Sequence, residues 1–119
     1  MNIEDKIKLI VSALEDIKAR DITVLDTTKL TSMFERMVIA SGDSNRQTRA
    51  LAGNVRDKVK EAGEYVGGME GEDSGDWVLL DLGDVVVHVM QPKVRDFYQL
   101  ERLWSVNAPD TGSKASDAR

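Results

Sequence analysis

Few side chains in this sequence have the type and spacing that chemistry requires. The 119 residues include one histidine, His88, and no cysteine. Without cysteine there is no disulfide framework and no thiolate metal site, and a single histidine cannot form a zinc centre. No group of His, Asp and Glu residues has the spacing of metal ligands either. We therefore predict that the chain holds no metal and no cofactor.

The turn formed by Ser41, Gly42, Asp43 and Ser44 is the segment best suited to face a phosphate, because it precedes a predicted helix and a helix N-terminus attracts anions. Nucleotidyl transfer also needs carboxylates that converge on a divalent metal, and no Asp-x-Asp pair occurs on the strand where one is needed. A capping box of Ser44 and Gln47 explains the turn without a ligand. We predict that the protein is not an enzyme. The alternative is a nucleotidyltransferase-like enzyme that uses this turn.

The composition restricts the classes of partner. The formal net charge is −5 and the isoelectric point is about 4.9, so the chain does not bind a phosphate backbone through its overall charge. We expect no sequence-specific binding of nucleic acid. No apolar run approaches the ~20 residues of a membrane span, and Glu4 and Asp5 stand where a signal peptide would be basic. We predict a soluble cytoplasmic protein that makes no contact with a membrane.

Apolar spacing and capping signals predict the helices that position these residues. Residues 3–17 carry apolar side chains every three or four positions, as on one face of a helix. A second helix follows Ser44 and continues the same pattern to its predicted end at Gly63. A short third helix is predicted over residues 93–103.

Strands alternate with these helices. Residues 22–26 and 35–41 are rich in β-branched and other apolar side chains, and another extended segment at 65–66 suggests a right-handed βαβ unit around the second helix. Residues 105–119 are small and polar, as in a disordered tail. We therefore assign residues 1–104 to a single domain.

The strongest local pattern is a hairpin. Residues 77–82 and 85–90 are extended, largely apolar runs joined by Gly83 and Asp84, and such a two-residue link predicts a tight turn with a fixed register. Alternation then places six apolar side chains on a buried face: Val78, Leu80, Leu82, Val85, Val87 and Val89. The opposite face is mixed and carries Trp77, Leu79, Asp81, Val86, His88 and Met90.

The mixed face of the hairpin has the composition of a protein-binding surface, since large apolar groups lie beside a few polar ones. Two other interpretations stay open. The C-terminal helix could cover this face with Phe97, Tyr98 and Trp104. His88 by itself could be a structural histidine whose hydrogen bonds are satisfied within the chain.

Several segments together resemble the RsfS/iojap family of ribosomal silencing factors. They are residues 37–47, 70–71, 75–81, 83–89, 92, 94–98 and 100–104. The resemblance extends over residues 3–104. It implies an α/β (α+β) fold, a mixed β-sheet of about five strands flanked by helices and similar to the nucleotidyltransferase core.

The resemblance also implies a function. Members bind the large ribosomal subunit through ribosomal large-subunit protein 14, sterically block joining with the small subunit and so repress translation. The resemblance further implies that the chain forms homodimers. Because that ribosomal protein is basic and this chain is acidic, their charges favour encounter.

The predicted partner-binding residues follow from the position of the mixed face within the best-matching segment. They are Trp77, Leu79, Asp81, His88 and Met90, with Tyr98, Glu101 and Arg102 added from the C-terminal helix. We expect Trp77, Leu79 and Met90 to be apolar anchors. Asp81 and Glu101 are expected to pair with basic groups of the partner, and His88 to form a hydrogen bond. Where the family usually has an acid and two aromatic residues, this chain has Glu35, Arg36 and Met37, which puts that part of the contact in question.

Overall fold

The fold is known from a computed structural model that describes residues 1–104; the predicted tail at 105–119 lies outside the described residues. The helices are α1 (Ile3–Asp16), α2 (Asn45–Glu61), α3 (Pro92–Tyr98) and α4 (Leu100–Trp104). The strands are β1 (Arg20–Asp26), β2 (Arg36–Ser41), β3 (Met69–Glu70), β4 (Trp77–Asp81) and β5 (Val85–Met90). They form one sheet in the order β1-β2-β5-β4-β3, in which β2 and β5 are parallel and the other neighbours antiparallel. The predicted mixed sheet of five strands flanked by helices is confirmed.

The main core lies between one face of the sheet and the pair α1 and α2. The six apolar side chains predicted for the inner face of the hairpin are all fully buried there. Ile10 and Leu14 enter this core from α1, and Leu51, Val55 and Val59 enter it from α2. The inner face therefore follows the alternation of the sequence, because each strand directs every second side chain toward the helices.

The register of the hairpin is the predicted one. Trp77 lies opposite Met90, Leu79 opposite His88, and Asp81 opposite Val86. The N–H of Leu82 donates to the carbonyl of Val85 at 2.9 Å across the turn, where Gly83 has a φ of 86°. This positive φ is what the tight turn demands of its glycine.

The predicted cap of α2 is present, with one difference. Ser44 accepts a hydrogen bond from the N–H of Gln47 at 3.1 Å, as in a capping box. The Gln47 side chain, however, accepts from the N–H of Asp43 at 2.6 Å and also donates to the carbonyl of Ile17 at 3.0 Å. The cap thus ties the start of α2 to the end of α1.

The predicted βαβ unit is wrong in its position. The strand after α2 is Met69–Glu70 rather than residues 65–66, and it pairs with β4 at the far edge of the sheet. It runs in the same direction as β2, but β5 and β4 lie between the two. Residues 65–66 form no strand. The backbone hydrogen bonds to Asp81 are made by the next two residues, Gly67 and Gly68.

The predicted C-terminal helix is in fact two helices. Gln99 has a φ of 50° and separates α3 from α4. Its N–H donates to the carbonyl of Arg95 at 2.8 Å. The break changes the direction of the chain, so that α4 contacts β1.

One buried cation joins the first helix to the hairpin turn. Lys6 is only 3% exposed, and its Nζ donates to the carbonyl of Leu82 at 2.8 Å and to Asp84 at 2.6 Å. Asp84, predicted above as part of the tight turn, has a second role, because its carboxylate neutralises this buried lysine. A paired and hydrogen-bonded charge is the form in which a lysine can be buried.

Candidate protein-binding surface

The outer face of the sheet is half covered. A second apolar cluster of Met37, Ile39, Met90 and Leu100 lies under α3 and α4, on the side of the sheet away from α1 and α2. Met90 is fully buried in it. The expectation that Met90 is an accessible anchor is therefore wrong, because the C-terminal helices cover its end of β5. The alternative in which those helices cover the mixed face holds for this half only.

Arg95 fastens the covering helices to the sheet. Its guanidinium donates to the Ser41 hydroxyl at 2.9 Å, to the Thr23 hydroxyl at 2.9 Å and to the carbonyl of Asp21 at 2.5 Å. It also pairs with Glu101 of α4 at 2.9 Å. Asp21 can offer its carbonyl because the strand register shifts between Arg20 and Thr23. One side chain thus connects α3, α4, β1 and β2.

Trp77 and His88 form a hydrogen-bonded pair at the boundary of the covered half. The indole Nε1 of Trp77 donates to Nδ1 of His88 at 2.9 Å. His88 is only 6% exposed, and burial lowers its pKa from 6.5 to about 4. The imidazole is therefore neutral near pH 7 and carries its proton on Nε2. The pair fixes the orientation of Trp77, and the interpretation of His88 as a structural histidine agrees with its burial.

The burial of neutral His88 predicts that the protein loses stability in acid. The folded state favours neutral His88, so its stabilising contribution is complete above pH 6.5 and decreases as the pH falls toward 4. The shift corresponds to a loss of up to about 3 kcal/mol in the free energy of unfolding. Urea denaturation at pH values from 7 to 4 measures it, and a His88→Gln variant removes the titrating group. We expect the wild type to lose more stability across this range than the variant; parallel curves would contradict the prediction.

Aromatic side chains continue from Trp77 onto α3 and remain accessible. The ring of Tyr98 lies 5.0 Å from that of Trp77, and Phe97 meets Tyr98 edge to face at 5.0 Å. Phe97 is 80% exposed and Tyr98 50%. Exposed aromatic groups in contact with a half-buried tryptophan are typical of the anchor regions of protein interfaces. We call Trp77, Tyr98 and Phe97 the aromatic surface.

The charged residues predicted for the site have different surroundings. The carboxylate of Glu101 forms an ion pair with Arg95. This disagrees with the expectation that Glu101 is available to a partner. Arg102 is exposed and donates to the side chain of Gln99 at 2.9 Å. Asp81 is half-buried and accepts from the N–H of Gly83 at 2.8 Å. Of the two predicted acidic contacts, the structure leaves only Asp81 facing outward.

The uncovered half of the outer face forms an open groove with a volume of about 550 Å³. Leu79, Val86, Met37 and His88 contribute to it from β4, β5 and β2. Asp81 adds a carboxylate from the end of β4, and the remaining lining residues come from loops and from β3: Met33, Phe34, Tyr65, Gly68, Glu70 and Gly83. The structure therefore brings the predicted residues Leu79, Asp81 and His88 together in a concave region beside the aromatic surface.

Several residues of this surface lie outside the set predicted from sequence. Phe97 is predicted above as part of a cover for the hairpin, but 80% of it is exposed. Tyr65 and Met33, exposed to 63% and 82%, were not considered as contacts. A single exposed apolar side chain is ordinary on a protein surface. Only the clustering of such side chains in the fold marks an interaction site, and the sequence does not show that clustering.

The turn at Ser41–Ser44, considered above for phosphate, has structural partners for its polar groups. Ser41 is buried and bonded to Arg95, and Ser44 caps α2. Asp43 pairs with Arg20 at 2.8 Å. Within residues 1–104 no group of three or more His, Asp and Glu side chains is arranged to hold a metal. The fold itself thus accounts for every polar side chain of the turn.

A five-stranded α+β domain with an aromatic surface and an adjoining groove on one face has the anatomy of a protein-docking module. Comparison with known proteins then assigns its family. The family described as "Ribosomal silencing factor during starvation", RsfS, matches residues 1–119. The chain belongs to the RsfS family, which supports a role in ribosome silencing.

Individual relatives agree with this assignment. A protein of Chromobacterium violaceum named Ribosomal silencing factor RsfS is 59% identical over 92% of this chain and 89% of its own length. A crystal structure of a protein from that organism has a TM-score of 0.86 and 60% identity over 87% of each chain. A mouse protein named Mitochondrial assembly of ribosomal large subunit protein 1 is 34% identical over 87% of this chain, which spans 47% of the mouse protein. Within residues 1–104, no helix is both long and apolar enough to cross a membrane.

Proposed function

We propose that this protein silences ribosomes by docking on the large ribosomal subunit through ribosomal large-subunit protein 14. Bound there, it occupies the surface that would otherwise meet the small subunit. The action is steric and not catalytic, and takes place in the cytoplasm. Self-association into homodimers stays a prediction from the family resemblance.

The aromatic surface is the observation that carries this proposal. Trp77 is held by His88 at 2.9 Å, so it loses little conformational freedom when a partner covers it. Tyr98 and Phe97 extend the apolar contact beyond it. A tryptophan with a fixed orientation and exposed aromatic neighbours is the arrangement that supplies most of the affinity in many interfaces.

Two further observations support the choice of partner. The mouse relative carries the large ribosomal subunit in its name, which favours that subunit over the small one. The net charge of −5 opposes direct binding to ribosomal RNA and favours a basic ribosomal protein.

Co-sedimentation with purified ribosomal subunits tests the proposal. We expect the wild type to travel with the large subunit only and to prevent reassociation with the small one. Trp77→Ala should weaken binding by about 2 kcal/mol or more, roughly 30-fold. Tyr98→Ala should weaken it less, and because this side chain is half exposed the variant should keep its fold.

Val24→Ala on β1 is the matched control, since Val24 is an exposed apolar residue outside the aromatic surface. It should bind as the wild type does. A wild-type chain that sediments with neither subunit would refute the docking proposal. Full binding by both aromatic variants, with cooperative melting, would leave docking intact and move the contact elsewhere.

A further inference from the structure

The groove beside the aromatic surface has a charge pattern that selects its occupant. Among its described lining residues only Glu70 and Asp81 are charged near neutral pH, and both are negative. The rest of the lining is apolar, aromatic or glycine apart from His88. No lysine or arginine of the described chain forms an ion pair with either carboxylate, so both can pair with a cation from outside.

The shape of the groove favours a polypeptide segment. Its volume of about 550 Å³ exceeds what one side chain fills. A shallower depression lined by Glu70, Gly71, Trp77 and Leu79 adjoins it and shares two of these residues with it. Glu70 and Leu79 therefore lie where the groove meets the aromatic surface, and a partner segment that covers Trp77 can continue into the groove.

The wall of the groove is held in place by close packing. A Cβ at Gly67 would come within 2.9 Å of the Tyr65 hydroxyl, and one at Gly83 within 3.3 Å of the Tyr65 ring. Tyr65 thus lies against two glycines although most of its surface is exposed. On the floor, Nδ1 of His88 accepts from Trp77, so the ring carries its proton on Nε2. None of the hydrogen bonds among the described residues uses this Nε2–H.

We propose that this groove takes a segment of the docking partner in which an apolar side chain is flanked by lysine or arginine. The apolar group contacts Leu79 and Val86, and the cation lies between Glu70 and Asp81. The Nε2–H of His88 donates to a backbone carbonyl of the segment. This assignment rests on the proposed docking function and specifies the chemistry of the partner at one part of it.

Methionine methyl groups report directly on the groove. Of the five methionines, Met33 and Met37 line it, whereas Met1 and Met90 do not. We would titrate methyl-labelled protein with a blocked pentapeptide, Gly-Lys-Leu-Arg-Gly, and follow the methyl spectrum. Two matched peptides replace the cations by glutamate or the leucine by glycine.

The expected result is that the first peptide shifts the Met33 and Met37 signals, while those of Met1 and Met90 stay in place. The glutamate and glycine peptides should bind at least about tenfold more weakly. Glu70→Lys should weaken the first peptide about tenfold, whereas Glu61→Lys, the same charge change on α2, should have no effect. Shifts outside the groove, or equal binding of the glutamate peptide, would overturn the assignment.

The same variants separate this inference from the docking proposal. Val86→Phe fills the floor of the groove. Val86→Phe and Glu70→Lys, made as separate single variants, should each weaken large-subunit binding about tenfold. If the wild type binds the subunit and both variants bind equally well, the groove assignment is wrong and docking stands. If the wild type binds no subunit but shows the predicted peptide selectivity, docking is wrong and with it the identity of the partner, whereas the preference of the groove for a basic segment with an apolar side chain stands. Should Val86→Phe fail to fold, Glu70→Lys alone decides, because Glu70 is exposed.

Discussion

An Arg95→Met variant is expected to lose about 3 kcal/mol of unfolding free energy, because removal of one partner from a buried ion pair leaves the other groups unsatisfied. The side chain of Arg95 is 9% exposed and that of Glu101 32%. One oxygen of Glu101, Oε1, is already buried without a hydrogen-bond partner among residues 1–104. Loss of the guanidinium would also leave the Ser41 hydroxyl without its donor. Removal of one partner from a buried ion pair costs about 3–5 kcal/mol. We expect the lower end of this range, since Glu101 is partly solvated.

Urea denaturation measures this change, and amide hydrogen exchange locates it. Exchange should accelerate most in α3 and α4, which Arg95 fastens to the sheet. Arg102→Met is the matched control, because Arg102 is exposed and, among the described residues, its side chain bonds only to Gln99. Its effect should stay within about 0.5 kcal/mol. Equal unfolding midpoints for Arg95→Met and Arg102→Met would contradict the role given to Arg95.

A Gly71→Ala substitution is expected to cost about 3 kcal/mol or more, through a combination of backbone strain and overlap. Gly71 has a φ of 87°, and a Cβ there would overlap the carbonyl oxygen of Trp77. The position of a Cβ is fixed by its own backbone and the atom it meets is a backbone oxygen, so no side-chain rotation can relieve the overlap. The variant should push β3 away from β4 and disturb the groove at Glu70.

Gly63→Ala isolates the contribution of the backbone conformation. Gly63 has a φ of 79°, similar to that of Gly71, but a Cβ there meets nothing within 4 Å. Gly63→Ala should therefore lower the free energy of unfolding by about 1 kcal/mol, which is the penalty of a left-handed conformation for a residue with a side chain. Thermal unfolding of both variants makes the comparison. If the two lose the same stability, the predicted overlap at Gly71 is relieved in solution and the prediction is wrong.

The sheet and its inner face could be predicted from sequence because their causes are local. A two-residue turn sets the hairpin register, and alternation then assigns each side chain to a face. The start of α2 is also a local matter, since Ser44 and Gln47 are three residues apart. The order of the strands is not local: two strands, β5 and β4, lie between β2 and β3, and nothing in residues 65–70 specifies that separation.

The cover on the outer face could not be predicted, because it depends on contacts between distant segments. Arg95 bonds to residues more than fifty positions earlier in the chain, and the carbonyl of Asp21 is available only through an irregularity in β1. The break at Gln99 carries no glycine or proline signal, although it turns α4 toward β1. Burial of Met90 and the commitment of Glu101 to Arg95 both follow from this arrangement, and both differ from the sequence-based expectation.

The candidate site was predictable to the extent that it lies on the hairpin. Trp77, Leu79 and Asp81 face outward as alternation requires, and His88 lies opposite Leu79. Tyr65, Met33 and Glu70 reach the same groove from outside the hairpin, so only the tertiary structure brings them to it. Their participation in binding, like that of the hairpin residues, stays a prediction until the variants are measured.

The position of β5 determines when this protein can first act. Among the strands of residues 1–104, β5 is third of five in space but the last to be synthesised, and it alone joins the β1–β2 pair to the β3–β4 pair. A growing chain that ends before Val85 has both pairs but no strand between them. The sheet, and with it the aromatic surface and the groove, therefore forms only after nearly all of residues 1–104 have been translated. A nascent copy consequently lacks a finished aromatic surface and groove while the ribosome is still making it.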